Sequence, residues 1–204
     1  MSDRTRLVTV LATGAAAAGL VAASPVAAAT KDVEATETKR FNPSAVTSTV
    51  AGSVHWFGTP GGAEAHSVRQ DAGVFDSGNP GVGLNFTRKF SAGTFPYHCE
   101  KHGDQGMVGT VTVPPQVVSA PAGLAFTVKW AAAGTNTGTT FDVKYRVASG
   151  PWKIWRNNTS AKSMVFGKGG PVAVARGKSY SFQVRSGTGA NESLFSPIKS
   201  FRAS

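Results

Sequence analysis

The chain has 204 residues, with 21 Lys and Arg against 11 Asp and Glu, and a formal net charge of +10. This length fits one or two modest domains, and the single cysteine excludes an intrachain disulfide. The sequence contains neither a G-x-S-x-G elbow nor a Walker glycine pattern, so nothing in it favours a serine hydrolase or a phosphate-binding loop.

The N-terminus has the layout of a secretory signal peptide. Arg4 and Arg6 precede an uncharged run over 7–23, and small residues follow at Ala27 to Ala29. We therefore predict a signal peptide over residues 1–29 and a secreted or cell-surface protein, periplasmic if the host has an outer membrane. An uncleaved anchor is the alternative, but the run is rich in Ala and Gly and barely long enough to span a bilayer.

After residue 30 the sequence is dominated by short alternating runs of polar and apolar residues. Such runs are TVTV at 110–113, FTVKW at 126–130, FDVKYRV at 141–147 and SYSFQVRS at 179–186. Alternation with a period of two places every second side chain on one face of a strand. The sequence therefore predicts an all-β fold.

Charge divides the chain into two parts. Residues 30–115 have a net charge of −1, whereas residues 116–204 carry twelve Lys and Arg against two Asp and Glu. Pro114 and Pro115 stand at the change, and a double proline ends a strand and stiffens a connector. The predicted organisation is a domain over 30–113, a Pro-rich linker over 114–116 and a second domain over 117–204.

The stretch FPYHCEKHGDQGMVG contains Cys99, His102 and Met107. We expect a strand over 93–99, a glycine-bearing turn and a further strand over 108–113, which would place the three side chains on one loop. Thiolate and imidazole are strong ligands for a borderline-soft metal, and a thioether is a donor that Ca²⁺ and Mg²⁺ ignore. Structural zinc sites do not use methionine. The set therefore favours copper, whose blue sites combine two histidines and a cysteine with a distant methionine.

A second histidine ligand must come from elsewhere in the chain. His98 neighbours Cys99 on an extended segment, so its side chain should face the opposite side of the sheet. His55 should point outward, because Val54 and Trp56 beside it have the character of core residues. His66 follows a Gly- and Pro-rich loop, and we predict it as the ligand.

Residues 41–113 resemble the cupredoxins. FNPSAVTSTVAGSVHW is similar to their opening strands, AHSVRQDAGVFDSG to the strand of their first histidine, and FSAGTFPYHCEKHGDQGMVGTVTV to their copper loop. The Cys-x2-His-x4-Met spacing is that of plastocyanin and pseudoazurin. The resemblance implies a Greek-key β-sandwich.

The same resemblance implies one copper ion in a type 1 site. His66, Cys99 and His102 would form its equatorial plane and Met107 its weak axial contact. It also implies that His102 exposes one ring edge as the port for electrons. Ser67 follows the first histidine where many relatives have asparagine, and this departure leaves open how the two ligand loops are tied together.

Residues 117–204 contain no cysteine or histidine and resemble a fibronectin type III domain, an immunoglobulin-like sandwich. Trp130 and Tyr145 would be core anchors, and Tyr180 would occupy the tyrosine corner of such domains. We expect Trp152 and Trp155 to pack in or near the core.

These features predict an exported electron carrier with a C-terminal spacer or tether, and no enzyme, since four histidines cannot also build a trinuclear copper cluster. A protein that buffers or delivers copper without redox duty, and a surface adhesion or structural protein, are the alternatives. The redox partner is unknown. The basic half is either a plain solvated surface or a surface that binds an anionic polymer of the cell envelope or an acidic protein, and we do not expect it to bind nucleic acid. Once the signal is cleaved, we expect no stable membrane span.

Overall fold

The computed structural model describes residues 29–119, 124–167 and 172–203. The predicted signal peptide lies outside the described residues, apart from Ala29. Within the described ranges the secondary structure is strand, with one short 3-10 turn at Gly103–Gln105. The predicted all-β fold is confirmed. None of the described segments is a helix with the length and hydrophobicity needed to cross a membrane.

The N-terminal half of the chain contains eight strands. Their bounds are β1 Thr30–Ala35, β2 Phe41–Asn42, β3 Ala45–Thr47, β4 Ser53–Gly58, β5 Arg69–Gln70, β6 Asn85–Lys89, β7 Gly93–His98 and β8 Val108–Val113. They form two four-stranded sheets, ordered β2-β1-β4-β6 and β3-β8-β7-β5. β1 runs parallel to β4 and β3 parallel to β8, whereas the other pairs are antiparallel.

The two sheets enclose an aromatic core. Trp56 on β4 is fully buried and packs edge-on against Tyr97 on β7, with 5.3 Å between ring centroids. Alternate residues of β7 are buried, so that Phe95 and Tyr97 face this core while His98 faces the opposite side. Cys99 follows His98 and continues the alternation, so its side chain points to the same side as Phe95 and Tyr97, at the end of the core.

The C-terminal half contains eight further strands. Their bounds are β9 Gln116–Ser119, β10 Ala125–Lys129, β11 Thr140–Val147, β12 Lys153–Thr159, β13 Ser163–Gly167, β14 Ser179–Thr188, β15 Asn191–Glu192 and β16 Lys199–Arg202. One sheet is ordered β13-β10-β9; the other is ordered β12-β11-β14-β15, and β16 also pairs with β14. Pro114 and Pro115 lie between β8 and β9, and the predicted domain limits remain a prediction.

Aromatic side chains fill the space between these two sheets. Trp130 is fully buried, Trp155 is nearly so, and Tyr145 is half-buried against Phe166. The hydroxyl of buried Tyr180 accepts a hydrogen bond of 2.9 Å from the backbone N–H of Ala175, five residues upstream. Trp130, Trp155, Tyr145 and Tyr180 therefore lie in or beside the core as predicted. Trp152 does not, since it is only partly buried and its ring lies against Lys144 and Arg146.

The halves are joined by buried polar contacts. Ser186 on β14 donates to the carbonyl of Ala92 at 2.6 Å, and its hydroxyl lies 2.8 Å from that of Ser91. The hydroxyls of Ser91 and Thr137 lie 2.9 Å apart, and the backbone N–H of Ser91 donates to the Thr137 hydroxyl at 2.9 Å. An antiparallel bridge between Thr94 and Leu194 continues the contact.

Candidate metal centre

Cys99 and His102 are held by a tightly bonded loop between β7 and β8. The N–H of Cys99 donates to the carbonyl of Met107 at 3.1 Å, and the N–H of Met107 donates back to the carbonyl of His102 at 3.0 Å. The turn closes at Gly106, whose φ of 83° lies in the left-handed region that favours glycine. The loop's own backbone therefore fixes the spacing of these side chains.

His66 reaches the same place from a different part of the chain. Its backbone N–H and carbonyl both bond to Gly81 at 3.0 Å, which fixes its position just before β5. β5 pairs with β7 at the level of His98, and this pairing brings His66 next to the end of β7. The sheet register, rather than proximity in sequence, makes the cluster.

The ligand atoms of His66, Cys99 and His102 all lie within 4.8 Å of one another. The three residues are 1%, 0% and 1% exposed, and Nδ1 of His102 is 3.7 Å from Sγ of Cys99. Neither ring nitrogen of His66 has a hydrogen-bond partner among the described residues. Buried polar atoms are normally satisfied, so an imidazole without partners beside a thiol fits a metal ligand. The residues present thus suit a transition metal that accepts nitrogen and sulfur.

Burial also favours the protonation state that metal binding needs. It lowers the pKa of His66 below its ordinary value, and the neighbouring His102 lowers it further. Burial likewise lowers the pKa of His102, with Lys101 adding to the effect. Neutral imidazole is the form that coordinates a metal, so the site is prepared to bind one at neutral pH.

Ser67 ties the two ligand loops together. Its backbone N–H donates to Sγ of Cys99 at 3.4 Å, and its hydroxyl accepts a hydrogen bond of 3.0 Å from the N–H of Glu100. The sequence left open how these loops would be joined, and the serine makes the connection from both its backbone and its side chain. Such contacts orient ligands and tune the electron density on a ligand sulfur.

A carboxylate covers the outer edge of His102. Nε2 of His102 lies 3.4 Å from Oε2 of Glu64, which also accepts a hydrogen bond of 3.2 Å from Nζ of Lys101. Glu37 accepts from the backbone N–H groups of Ala63 and Glu64 and so anchors the segment. The expectation that His102 exposes a ring edge is wrong: the residue is 1% exposed because Glu64 and Lys101 lie over it.

The other two histidines lie outside the cluster, as their strand positions predict. His55 is bracketed by Asp32 and Asn85 at 3.1 and 3.0 Å, on the outer face of β4. His98 bonds through Nδ1 to Asp71 at 2.8 Å. Both are partly exposed.

Met107 is fully buried and belongs to the same loop, where its backbone bonds to both Cys99 and His102. Three of the four sequence-predicted ligands therefore form one cluster of donor atoms, and the fourth lies beside them along the chain. Sequence reasoning missed Glu64 and Glu37.

No protein-family model matches the chain, and no curated protein matches it. Among solved structures, the chain is similar to a mutant plastocyanin of fern, with 22% identity over 40% of this chain and 98% of that one and a TM-score of 0.36. It is also similar to oxidized plastocyanin from Dryopteris crassirhizoma, with 24% identity over 40% and 98% of the two chains and a TM-score of 0.33. Pseudoazurin from Methylobacterium extorquens AM1 has 23% identity over 41% of this chain and 74% of its own, with a TM-score of 0.33.

Proposed function

We propose that this protein holds one copper ion in a type 1 site and carries single electrons. One observation carries the proposal: a thiol and two imidazoles converge within 4.8 Å in a buried site, and one of those imidazoles has no other partner among the described residues. The resemblance of the sequence to cupredoxins also supports a type 1 copper site.

Each residue has a role in this proposal. Cys99, His66 and His102 provide the strong donors, and the buried Met107 provides the weak axial one. The N–H of Ser67 bonds to the Cys99 sulfur and lowers its electron density, while the backbone bonds of the loop hold the donors in a fixed arrangement. Copper would supply a one-electron couple, and a fixed ligand arrangement keeps the reorganisation between oxidation states small.

We further propose that the C-terminal half is a fibronectin type III-like module. Its sheets, β13-β10-β9 and the five-stranded β12-β11-β14-β15 with β16 also paired to β14, fit a two-sheet sandwich in which the short β15 and β16 share β14 as their neighbour. The hydrogen bond from Ala175 to the hydroxyl of Tyr180 fits a tyrosine corner. In this reading the module positions or tethers the copper domain, outside the cytoplasm, and the protein catalyses no reaction of its own.

The test is to add Cu(II) to the purified protein and record visible absorption and electron paramagnetic resonance. We expect an intense thiolate-to-copper band and narrow copper hyperfine splitting, both lost in Cys99→Ser. The matched control is His55→Gln, which changes a histidine outside the cluster and should leave the spectra intact. A pale spectrum that is the same in Cys99→Ser would overturn the assignment.

The burial of His102 favours a second candidate function, copper buffering or delivery without electron transfer. A carrier exchanges electrons through ligands near the surface, and here Glu64 and Lys101 cover the imidazole. Measuring electron self-exchange of the copper-loaded protein separates the two. Rapid exchange supports the carrier, whereas slow exchange with tight copper binding supports the buffer.

A further inference from the structure

The acidic residues of the C-terminal half neutralise only one of its cations. Residues 116–204 contain two carboxylates, Asp142 and Glu192. Arg185 forms ion pairs with both of them, each at 2.6 Å. Both carboxylates of this half are therefore occupied by one arginine.

The ion pairs of the described residues bear this out. Apart from Arg185, none of the described Lys and Arg of this half forms an ion pair. They are Lys129, Lys144, Arg146, Lys153, Arg156, Lys162, Arg176, Lys178, Lys199 and Arg202. Unpaired surface charge of one sign creates a potential that attracts a polyanion.

Several of these cations are gathered on one face of the sheet. Tyr180 and Phe182 on β14 point into the core, so Ser179 and Ser181 point outward. Arg202 on β16 is the cross-strand partner of Ser179, and Arg146 on β11 is that of Ser181. Cross-strand partners share a face, so the two arginines flank β14 on its outer side.

A fixed turn adds two more cations at the same end of β14. Arg176 and Lys178 lie in the segment that leads into the strand, and both are exposed. The Tyr180 hydroxyl accepts a hydrogen bond from the N–H of Ala175. The carbonyl of Ala203 accepts from the N–H of Gly177 at 2.8 Å, and the N–H of Ala203 donates to the carbonyl of Lys178 at 3.0 Å. The turn is therefore tied to the end of β16, next to Arg202.

Trp152 contacts two cations on the outer face, Lys144 and the Arg146 already placed beside β14. Nζ of Lys144 lies 5.1 Å from its ring centroid, and the guanidinium of Arg146 lies 4.8 Å from it on β11. Burial lowers the pKa of Lys144, and the nearby Arg185 lowers it further. The basic face is defined as Lys144, Arg146, Arg176, Lys178 and Arg202.

The Ser179 end of the basic face lies away from the buried hydroxyl contact with the N-terminal half, whereas Lys144 lies against Phe195, whose carbonyl accepts a hydrogen bond from Thr94. Ser186, which makes the hydroxyl contact, is near the last residue of β14, while Ser179 is the first. Seven residues of strand separate them, about 23 Å at roughly 3.3 Å per residue. A partner bound near Ser179 would leave the metal centre and the joint between the halves free.

We propose that the basic face binds a flexible, linear polymer that carries phosphate groups. Arginine offers a planar fork that pairs with phosphate through two hydrogen bonds, and three of the five cations are arginines. The cations lie on a sheet face and on a turn at its end, so a flexible chain can follow them where a rigid surface cannot. Among the described residues, the exposed large hydrophobic side chains near the basic face are Val147, Ile198 and Ile154, the cross-strand partner of Lys144. An acidic protein is therefore the competing partner in the test.

The test measures binding of the full-length protein to linear inorganic polyphosphate across a range of salt concentrations. If five phosphates are neutralised, log K against log salt should have a slope of roughly −3.5, because each contact on a flexible strand contributes about −0.7. The variant is Arg176→Gln, Lys178→Gln and Arg202→Gln together. The control variant also removes three positive charges, but from other surfaces: Lys31→Gln, Lys129→Gln and Lys162→Gln together.

We expect the first triple variant to bind at least tenfold more weakly with a shallower salt slope, and the control to stay within about twofold. Circular dichroism checks that each variant is folded. An equal loss in both triples would show that net charge alone attracts the polymer and would overturn the proposal. Binding to an acidic protein or to stiff duplex DNA, but not to polyphosphate, would also overturn it. These measurements use no copper, so their outcome is independent of the proposed function.

Discussion

At the scale of single residues, Glu64 sets the surroundings of the candidate metal centre. Its carboxylate faces Nε2 of His102, while Nδ1 faces Cys99, so the ring is placed between a ligand sulfur and an anion. A carboxylate beside the far nitrogen of a ligating histidine makes that histidine a stronger donor. A stronger donor stabilises Cu(II) more than Cu(I).

We therefore expect Glu64→Gln to raise the reduction potential of the copper-loaded protein. A tenfold weaker preference for Cu(II) corresponds to about 59 mV for one electron. Voltammetry measures the shift, and electron paramagnetic resonance should show changed hyperfine splitting. The control is Asp104→Asn, which removes an exposed charge from the loop that carries His102. An equal shift in both variants would assign the effect to net charge rather than to the contact with His102.

Tyr97 provides a residue whose ionisation reports on folding. Burial raises the pKa of its phenol from 10.0 to about 12. The unfolded chain therefore releases the proton at lower pH than the folded protein, and the stability is fully present below pH 10 and lost as the pH rises toward 12. At about 1.4 kcal/mol per pKa unit, the loss is roughly 3 kcal/mol.

Urea unfolding between pH 9 and 12 tests this, with Tyr97→Phe as the comparison. The phenylalanine variant should lose less stability over that range. The Tyr97 hydroxyl has no hydrogen-bond partner among the described residues, so its removal should cost little at pH 8. Parallel stability curves for the two proteins would contradict the prediction.

At the scale of elements, β8 depends on a glycine opposite that tyrosine. Gly109 pairs with Tyr97 across β7 and β8, and a Cβ at position 109 would collide with the Tyr97 ring. Because the ring is buried under Trp56, it has no room to withdraw. We expect Gly109→Ala to destabilise the protein by about 1–3 kcal/mol.

Thermal or urea unfolding of Gly109→Ala checks this, with Gly81→Ala as the control. Gly81 has open space around its Cβ position, so its substitution should have an effect near zero. Equal stability of the two variants would contradict the predicted collision.

Strands with a buried and an exposed face were the predictable part of this fold. β7 and β8 alternate in burial as they alternate in sequence. The parallel pairing of β1 with β4 was not predictable, because alternation says nothing about which strand is the neighbour. At the metal centre, Cys99 and His102 share a local spacing that reveals them. Glu64 lies beside His102 only because of the conformation of the segment between β4 and β5, and no sequence pattern predicts that conformation.

At the scale of the whole molecule, the joint between the halves includes a cluster of small hydroxyl side chains. Ser91, Thr137 and Ser186 are fully buried and bond to one another and to the carbonyl of Ala92. Serine and threonine are common and give no sequence signal of this role. Buried hydroxyl groups of this kind are costly to leave unpaired, so the contact should fix the orientation of one half against the other.

We predict that the two halves unfold together, and that Ser186→Ala weakens this coupling. The substitution leaves the Ala92 carbonyl and the Ser91 hydroxyl without their shared partner, which costs about 1–3 kcal/mol. Urea unfolding should follow one curve whether the probe is Trp56 in the N-terminal half or Trp130 in the C-terminal half, and single-tryptophan variants separate the two signals. Ser160→Ala, at an exposed position, is the control.

In Ser186→Ala the midpoint should fall for both probes, and a separation of the two curves would show that this hydroxyl is needed to couple the halves. Two separate curves already in the unchanged protein would contradict the prediction and show that the halves fold independently. A single curve means that the metal centre and the basic face keep one fixed relation in space. A polymer held at the basic face would then present the metal centre at a defined distance and direction, instead of on a flexible tether.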